Sequence, residues 1–448
     1  RPRASLRWRA TGLAESGAAS TGAGGAGSAE GPAAARAAEV VLGRRPLALA
    51  APFDHPRYSL SLAEAREARP PLRPLPLEDI GLPERAVAVE GRWPGEPGYP
   101  FEEELVLCLE AAPRAIEAWA RGLGRAVRKA GAPAPRPDAG LTIGAVGDIA
   151  VSDTDAALLA AGKGGLGRLL GPVLPLLAGP DILAGNLEGV VSGLGEPNPR
   201  KRFRFRFDPA APRVLAEAGF DLLLFANNHG FDFGPEGFAD SLANLEASGL
   251  PFVGAGRDLQ AAAAPLRLPS RPGFAFVGFA LYPDERYGFT AAEAAAGPGR
   301  PGVASDEAAA IASIREAAAK GDFVVVLAHG GSEYRFEPDE ALRRRYRRFV
   351  DAGARLVLGS HPHVLQGAEA YSGALIAYSL GNFLFTADEE PPEAQKSALL
   401  EVFVAGGAVR GFKLEPVLSL GSGTLPDPER RAAEERFSAL CRELAERD

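Results

Sequence analysis

The sequence between residues 141 and 385 alternates continuous apolar runs with stretches of helical pattern, and this alternation is its strongest constraint on the fold. Such runs are typical of strands that are buried on both faces. Helical segments lie between them, for example residues 305–321, which open on a Ser cap and end on Gly. The apolar runs are LTIGAVG (141–147), DILAG (181–185), DLLLFA (221–226), FAFVGFA (274–280), FVVVLA (323–328), RLVLG (355–359) and ALIAYSLGNFLF (374–385). The pattern predicts an α/β domain whose strands point at one rim.

Short polar motifs follow these runs, and four of the five histidines of the chain lie in them. The loops at the carboxyl ends of strands in α/β sheets direct side chains into one crevice. Asp, Asn, Glu and His are ligands for Mn, Zn or Fe. The motifs are Gly147-Asp148, Gly185-Asn186-Leu187-Glu188, Asn227-Asn228-His229, Leu327-Ala328-His329 and Gly359-Ser360-His361-Pro362-His363. We therefore expect one shared centre that binds one or two divalent metal ions.

The residue types in these motifs suit phosphoester chemistry. Two metal ions about 3.5–4 Å apart recur in phosphoester hydrolysis, because together they bind the phosphate and activate water. In residues 227–229 one amide oxygen can bind metal, while the imidazole of His229 stays free as a proton donor or charge stabiliser near pH 7. Two interpretations of Asp232 stay open, orientation of that imidazole and a cap near the start of a helix.

Length and charge restrict the class of protein. A chain of 448 residues is too long for one average core, which predicts two domains. The net charge of −8 argues against nucleic-acid binding, and no apolar run approaches the roughly 18 residues that span a bilayer. The chain begins with Arg and contains no Met, so we expect a longer translated product. A removed signal peptide or lipid anchor is compatible with this sequence.

A proline-rich segment, GAPAPRPDAG, is the clearest domain boundary in the sequence. Before it, Gly, Ala and Ser dominate residues 11–36, which is typical of a flexible segment. The predicted organisation is a flexible lead (1–36), a small α+β region of unknown role (37–130), a linker (131–140), the motif-bearing domain (141–420) and a C-terminal helix (421–448).

The motifs of residues 141–405 resemble those of the CapA (PgsA-type) poly-γ-glutamate capsule synthesis proteins, a branch of the calcineurin-like metallophosphoesterases. NNH followed by HPHVLQ and YSLGNF is the most specific part of the match. The matching segments, in family order, are GDIAVS (147–152), GNLEGVVS (185–192), FANNHGFDFG (225–234), HGGSEY (329–334), GSHPHVLQG (359–367) and YSLGNFLF (378–385). The resemblance implies a four-layer α-β-β-α metallophosphoesterase-like sandwich with a metal centre at the edge of its two sheets.

The resemblance also implies roles for individual residues. His229 matches the catalytic histidine, and Glu188, or alternatively Asn186, takes the place of the bridging carboxylate. The other metal ligands match Asp148, Asn228, His329, His361 and His363. The implied protein is a metal-dependent hydrolase of phosphoesterase type in poly-γ-glutamate capsule or cell-envelope polymer synthesis. It would act outside the cytoplasm on an anionic polymer or a phosphoester, with a capsule-synthesis membrane complex as partner.

One departure from the family pattern concerns residue 150. General phosphoesterases have Asp-x-His at the first motif, whereas Asp148 is followed here by Ile149 and Ala150. The loss of that imidazole weakens one metal position, so two alternatives stay open. One is a phosphoesterase with an unrelated substrate, and the other is a non-catalytic assembly protein that has a structural metal and binds anionic polymer. Introducing histidine at position 150 is expected to raise metal occupancy if the site lacks only that ligand.

Asn227, Arg204, Glu333 and Asn382 are candidate substrate contacts. Arg204 lies in KRFRFRF (201–207), whose alternation predicts a strand with its phenylalanines toward a core. Its arginines then line either a solvated face or a surface that binds an anionic substrate. For Glu333, close behind His329, support of the metal ligands and simple packing stay equally open. Asn382 ends a predicted strand at the rim.

Overall fold

The computed structural model describes residues 140–386 and 391–446 and, before them, the backbone of seven strands between residues 4 and 109. The chain divides into two compact units, one drawn from residues 1–140 and one mainly from residues 141–448. The strands of the first unit are β1 (Ala4–Thr11), β2 (Ala38–Pro52), β3 (Ser59–Leu60), β4 (Arg73–Pro76), β5 (Glu84–Ala86), β6 (Ala88–Val89) and β7 (Glu102–Leu109).

In the first unit, β7 pairs antiparallel with both β1 and β2, and β2 pairs antiparallel with β4 and β5. Strand β1 falls within the predicted lead segment, and residues 12–36 of that segment lie outside the described residues. Residues 131–139, which belong to the predicted linker, also lie outside them. The organisation proposed for the first 140 residues therefore stays a prediction.

Seventeen strands are described in the second unit. They are β8 (Leu141–Ala150), β9 (Ile182–Leu187), β10 (Val190–Val191), β11 (Arg206–Phe207), β12 (Leu222–Leu224), β13 (Phe252–Val253), β14 (Ala255–Gly256), β15 (Phe274–Leu281), β16 (Gly302–Val303), β17 (Phe323–Gly330), β18 (Ala354–Ser360), β19 (Ala368–Tyr371), β20 (Ala374–Ala377), β21 (Asn382–Phe385), β22 (Lys396–Ala405), β23 (Ala408–Leu420) and β24 (Gly423–Pro426). Strands β8, β9, β12, β15, β17 and β18 coincide with apolar runs of the sequence. The run at 374–385 is divided between β20, which ends at Ala377, and β21, which begins at Asn382 and belongs to a different sheet, so the expectation that Asn382 ends a strand is wrong. The predicted runs do not include β22 and β23.

The helices of the second unit lie between these strands. They are α1 (Asp153–Ala160), α2 (Lys163–Leu169), α3 (Leu174–Leu177), α4 (Ala211–Glu217), α5 (Gly234–Ser248), α6 (Leu259–Ala263), α7 (Ala291–Ala294), α8 (Glu307–Ala319), α9 (Glu340–Asp351) and α10 (Arg430–Ala445). Local capping explains several boundaries. Helix α5 ends on Gly249, whose φ of 78° is left-handed. The cap of α8 is Asp306, which accepts a hydrogen bond from Ala309 N, and not the Ser that the sequence pattern suggested.

Two sheets form the centre of the second unit. In the first, β8, β9, β12 and β13 run parallel, and β22 and β23 continue the sheet antiparallel on the other side of β8. Strand β21 pairs parallel with the end of β8. In the second sheet, β15, β17, β18 and β20 run parallel and β19 closes the edge antiparallel.

The second sheet is covered on both faces. Val325 and Leu327 of β17 pack in a core that also contains Ile143 of the first sheet. Their neighbours Val324 and Val326 pack in a second core with helices α8 and α9. Each such fully buried side chain contributes about 1.5–3 kcal/mol. The α/β sandwich predicted from the sequence is confirmed for this part of the chain. Among the described residues, no helix has the length and apolar character needed to cross a membrane.

Candidate metal centre

The polar motifs meet where the parallel strands of both sheets end. Asp148 lies near the end of β8, Glu188 directly follows β9, and residues 227–229 follow β12. His329 lies near the end of β17, and residues 361–363 follow β18. The side chains of these polar residues are buried. The structure therefore brings carboxylates, amides and imidazoles from five strand ends into one cluster.

Asn186 joins the two buried carboxylates through its amide nitrogen. Its Nδ2 donates to Asp148 Oδ1 at 2.7 Å and to Glu188 Oε2 at 3.2 Å. Its Oδ1 accepts from Asn227 Nδ2 at 3.2 Å. Asn227 also donates to Leu187 O at 2.8 Å and accepts from the backbone amide of residue 229 at 3.0 Å. Both amides thus hold the cluster together. Asn227, a predicted substrate contact, is fully buried and uses both ends of its amide within the protein.

His329 lies between Asn228 and the carboxylates. Its Nε2 is 2.8 Å from Asn228 Oδ1, and its Nδ1 is 3.0 Å from Ser360 Oγ and 3.8 Å from Asp148 Oδ1. Asn228 Oδ1 and His329 Nε2 are therefore adjacent potential metal-binding atoms from two residues that are 101 positions apart in sequence.

The His361-Pro362-His363 turn has a left-handed backbone at both histidines. Their φ angles are 98° and 58°, in a region that costs a non-glycine residue about 1–3 kcal/mol. The amide of His361 donates to Asp148 Oδ2 at 3.2 Å. His363 Nδ1 lies 3.6 Å from Asp148 Oδ2 and 2.8 Å from Asn382 Oδ1. The strained turn thus holds the backbone amide of His361 and the imidazole of His363 against Asp148, and Asn382 contacts the ring of His363.

Several buried polar atoms of the cluster have no hydrogen-bond partner. They are Glu188 Oε1 and both ring nitrogens of His361. Buried polar atoms are rarely left in this state. The cluster contains two sets of three potential ligand atoms, and within each set the atoms lie within 4.8 Å of one another. His363 belongs to both sets. One set comes from Asp148, Glu188 and His363, and the other from Glu333, His361 and His363. These residues fit a divalent cation, because a carboxylate oxygen such as Glu188 Oε1 and one ring nitrogen of a neutral imidazole such as that of His361 can each bind one.

The electrostatics of the cluster favour the same interpretation. Burial, followed by the charge of Asp148, raises the pKa of Glu188 well above its ordinary value. Burial and the neighbouring imidazole of His363 lower the pKa of His361 to about 3. Burial and the imidazole of His361 lower the pKa of His329 well below its ordinary value. The neutral imidazole is the form that binds metal, and a cation offsets the repulsion between adjacent carboxylates.

His229 lies beside the cluster with one ring nitrogen directed to each side. Its Nε2 is 3.7 Å from Glu188 Oε1, and its Nδ1 is 2.7 Å from Asp232 Oδ2. The ring stacks on Phe205 with 4.2 Å between centroids. Asp232 is fully buried, and helix α5 starts at Gly234 with no side-chain cap. Asp232 therefore orients the imidazole and does not cap the helix.

Lys201, which the sequence analysis did not single out, completes this arrangement. Its side chain is fully buried, and its Nζ lies 2.7 Å from Asp232 Oδ1 and 3.3 Å from Glu285 Oε1. It also donates to the backbone oxygen of Asn228. Burial alone raises the pKa of Asp232, but the charges of His229 and Lys201 reverse this and lower it. The only signal in the sequence was its position as the first residue of the Arg/Phe run at 201–207. That position does not distinguish a buried lysine from a solvated one.

The other residues of KRFRFRF occupy different places from those predicted. Only Arg206 and Phe207 form a strand, and Phe203 is exposed, so the predicted strand with three inward phenylalanines is wrong. Arg204 is exposed, and its guanidinium donates to the backbone oxygens of Asn198 and Lys201. No described contact joins Arg204 to the cluster.

Ala150 lies in a closed apolar group with Phe205 and Phe385. It is fully buried, and the two rings meet edge to face with 5.5 Å between centroids. Phe385 also contacts the ring of His363. Phenyl rings therefore occupy the space next to residue 150. The expectation that a histidine there would complete the site is revised, because its imidazole would have to displace these rings.

The fold and the cluster together define an α/β sandwich protein with a candidate divalent-metal site at its strand ends. Residues 142–387, more than half of the chain, match the family described as "Bacterial capsule synthesis protein PGA_cap". The chain belongs to this family. The CapA-type resemblance seen in the motifs is thereby confirmed.

Curated relatives support the same assignment. The chain is 32% identical over 247 residues to the PGA biosynthesis protein CapA of Bacillus subtilis. The aligned region covers 55% of this chain and 63% of the relative. It is 31% identical over 243 residues to the capsule biosynthesis protein CapA of Bacillus anthracis, and this alignment covers 51% of the chain and 56% of the relative. It is 30% identical over 223 residues to a probable polyglutamine synthesis accessory protein of Mycobacterium tuberculosis, and this alignment covers 45% of the chain and 55% of the relative. The chain thus spans less than two thirds of the length of these relatives.

Proposed function

We propose that this chain is a metal-dependent enzyme of phosphoesterase type that acts in poly-γ-glutamate capsule or cell-envelope polymer synthesis. One observation carries the enzymatic part, the contact between the buried ligand cluster and an oriented imidazole. His229 Nε2 is 3.7 Å from Glu188 Oε1, which lacks a hydrogen-bond partner. Family membership and the names of the relatives support the biological role.

The proposed metal ligands are the buried donors of the cluster. Bound Mn, Zn or Fe supplies charge neutralisation at a phosphoryl oxygen and a water of lowered pKa. Asn186 holds the two carboxylates through its amide nitrogen, and we assign it this organising role in preference to direct ligation. The direct ligands are Asp148, Glu188, Asn228, His329, His361 and His363.

The protein's own proton transfer is assigned to His229. The Nδ1–H of the ring donates to Asp232, which fixes the tautomer and leaves Nε2 directed at the cluster. In this orientation the ring can take a proton from the nucleophile or give one to the leaving oxygen. Lys201 keeps Asp232 ionised from its far side. Phe205 limits the movement of the ring by stacking on it.

A second candidate function is a non-catalytic assembly protein that has a structural metal and binds anionic polymer. The observation in its favour is Ala150, which offers no donor atom and is enclosed by phenyl rings. A phosphoesterase with an unrelated substrate is the third candidate. As partners we propose a phosphoester or anionic polymer substrate and a capsule-synthesis membrane complex, and as location the cell envelope.

Metal content and turnover test these functions together. The full chain, stripped of metal and reloaded with Mn²⁺, Zn²⁺ or Fe²⁺, should bind at least one ion and hydrolyse a nitrophenyl phosphodiester or phosphomonoester. His363→Ala should lower bound metal to near nothing, because His363 belongs to both ligand sets. Metal binding without turnover on any phosphoester, together with retention of poly-γ-glutamate in equilibrium dialysis, would favour the assembly protein. Full metal retention by His363→Ala would contradict the proposed centre.

A further inference from the structure

The segment 200–206 carries five cations in seven residues, on a chain whose net charge is −8. Carboxylates neutralise two of these cations. Arg200 pairs with Glu293 at 2.7 Å, and Lys201 pairs with Asp232 at 2.7 Å. Within the ranges that the structure describes, no carboxylate forms an ion pair with the other three. We call them the arginine strip, and they are Arg202, Arg204 and Arg206.

Main-chain oxygens orient two guanidinium groups of the strip without neutralising them. Arg204 and Arg206 donate to backbone oxygens of the segment 194–201 at distances between 2.8 and 3.4 Å. Arg202 is exposed, and its guanidinium carbon lies 4.6 Å from the ring centroid of Phe203. A carbonyl oxygen accepts a hydrogen bond but carries no net charge, so the strip keeps its positive charge. Its arginines are thereby arranged along one segment before any ligand binds.

The strip lies on the outer side of the segment that holds the catalytic imidazole. Phe205, between Arg204 and Arg206, donates its amide to Asp232 Oδ2 at 2.7 Å and stacks its ring on His229. Phe205 is buried, whereas Arg204 is exposed and Arg206 is half-buried. The phenyl ring therefore faces the metal centre and the arginines face solvent. A ligand on the strip would lie beside the centre without replacing any of its ligands.

We propose that the arginine strip binds a linear polycarboxylate, the poly-γ-glutamate chain, and holds it beside the metal centre. The proposal rests on the proposed function, which supplies this polymer. A guanidinium group binds a carboxylate through two parallel hydrogen bonds. Arginines two residues apart are at most about 7 Å apart along the chain, and an extended γ-linked glutamate chain carries one carboxylate about every 6 Å, or five backbone bonds. Successive arginines can therefore bind successive carboxylates.

Fluorescence anisotropy of labelled poly-γ-glutamate, titrated with the full chain, tests this surface. Arg202→Gln/Arg204→Gln should bind the polymer about 5–25-fold more weakly than the wild type, because an exposed ion pair contributes up to about fivefold in affinity. The salt dependence of binding should also become weaker, since fewer ion pairs form.

Arg315→Gln/Arg355→Gln is the matched control, because it lowers the net charge by the same amount at a different place. Both arginines are exposed, Arg315 on α8 and Arg355 at the start of β18, the opposite end of that strand from the metal centre. This control should bind the polymer as the wild type does. Circular dichroism checks the fold of each variant. If Arg204→Gln loosens the segment, Arg202→Gln alone should still weaken binding by up to about fivefold, since the structure describes no hydrogen bond of Arg202 that its loss could break.

Equal polymer affinity of the strip variant, the control and the wild type overturns the proposal. Stronger competition by inorganic polyphosphate than by unlabelled poly-γ-glutamate overturns the choice of polymer. Absence of polymer binding by the wild type also overturns the proposal. None of these results decides the proposed function, which metal content and turnover of a nitrophenyl phosphoester test separately.

Discussion

Lys201→Met removes the positive charge that pairs with Asp232 Oδ1, the carboxylate oxygen that His229 does not contact. The lysine is fully buried, and its Nζ lies 2.7 Å from Asp232 Oδ1. Breaking a buried ion pair by removing one partner costs about 3–5 kcal/mol, since the other charge stays desolvated. Asp232 keeps hydrogen bonds from His229 Nδ1 and the Phe205 amide, which places the loss near the lower end. The backbone oxygen of Asn228 loses its donor as well, at about 1–3 kcal/mol. Together these two terms predict that the free energy of unfolding falls by about 4–6 kcal/mol.

Urea unfolding followed by far-UV circular dichroism measures this loss in the second unit. Lys320→Met is the matched control. Lys320 makes a 2.6 Å ion pair with Glu316 in which both side chains are more than half exposed. Exposed pairs of this kind contribute at most about 0.5 kcal/mol.

The pH dependence gives a second measure of the same pair. The pKa of Asp232 is lowered in the folded protein, so its stabilising contribution is present above the unfolded value of about 3.9 and is lost as pH falls through the folded value. Without Lys201 that pKa rises, and the penalty of Lys201→Met should shrink as the solution is acidified. A loss no larger than that of Lys320→Met, or strict additivity with Asp232→Asn, would refute the coupling.

The remaining predictions concern catalysis, the residue 150 pocket and the domain boundary. His229→Gln should retain metal and fold but lose about 10²–10⁴-fold in phosphoester turnover, and equal loss of metal in elemental analysis would contradict its role. Ala150→His should lower the free energy of unfolding by about 1–3 kcal/mol, because the larger side chain overpacks against Phe205 and Phe385. The metal content should not rise, and a gain of one ion per chain would contradict this packing argument. A fragment that begins at Pro137 should melt cooperatively in calorimetry, because the second unit has its own core, and insolubility would argue against the boundary.

The sequence by itself determined most of the parallel strands and the rim at which the polar motifs meet. Runs such as FVVVLA predict buried strands from local hydrophobicity alone, and the structure has β17 at Phe323–Gly330. A polar residue directly after such a run lies at a strand end, and parallel strands end at the same rim. For this reason the sequence alone assigns Asp148, Glu188, His329 and His361 to one cluster.

Only the tertiary structure decided which side chains complete that cluster. Nothing local marks Lys201 as buried, because its partners Asp232 and Glu285 come from distant loops. The alternation around it suggested a long strand, but packing left only Arg206 and Phe207 in one. Glu333 reaches the imidazoles because the next amide bonds to the turn at residues 361–363. These contacts join residues that are far apart in sequence, so they depend on how the two sheets pack and not on any periodicity that the chain carries.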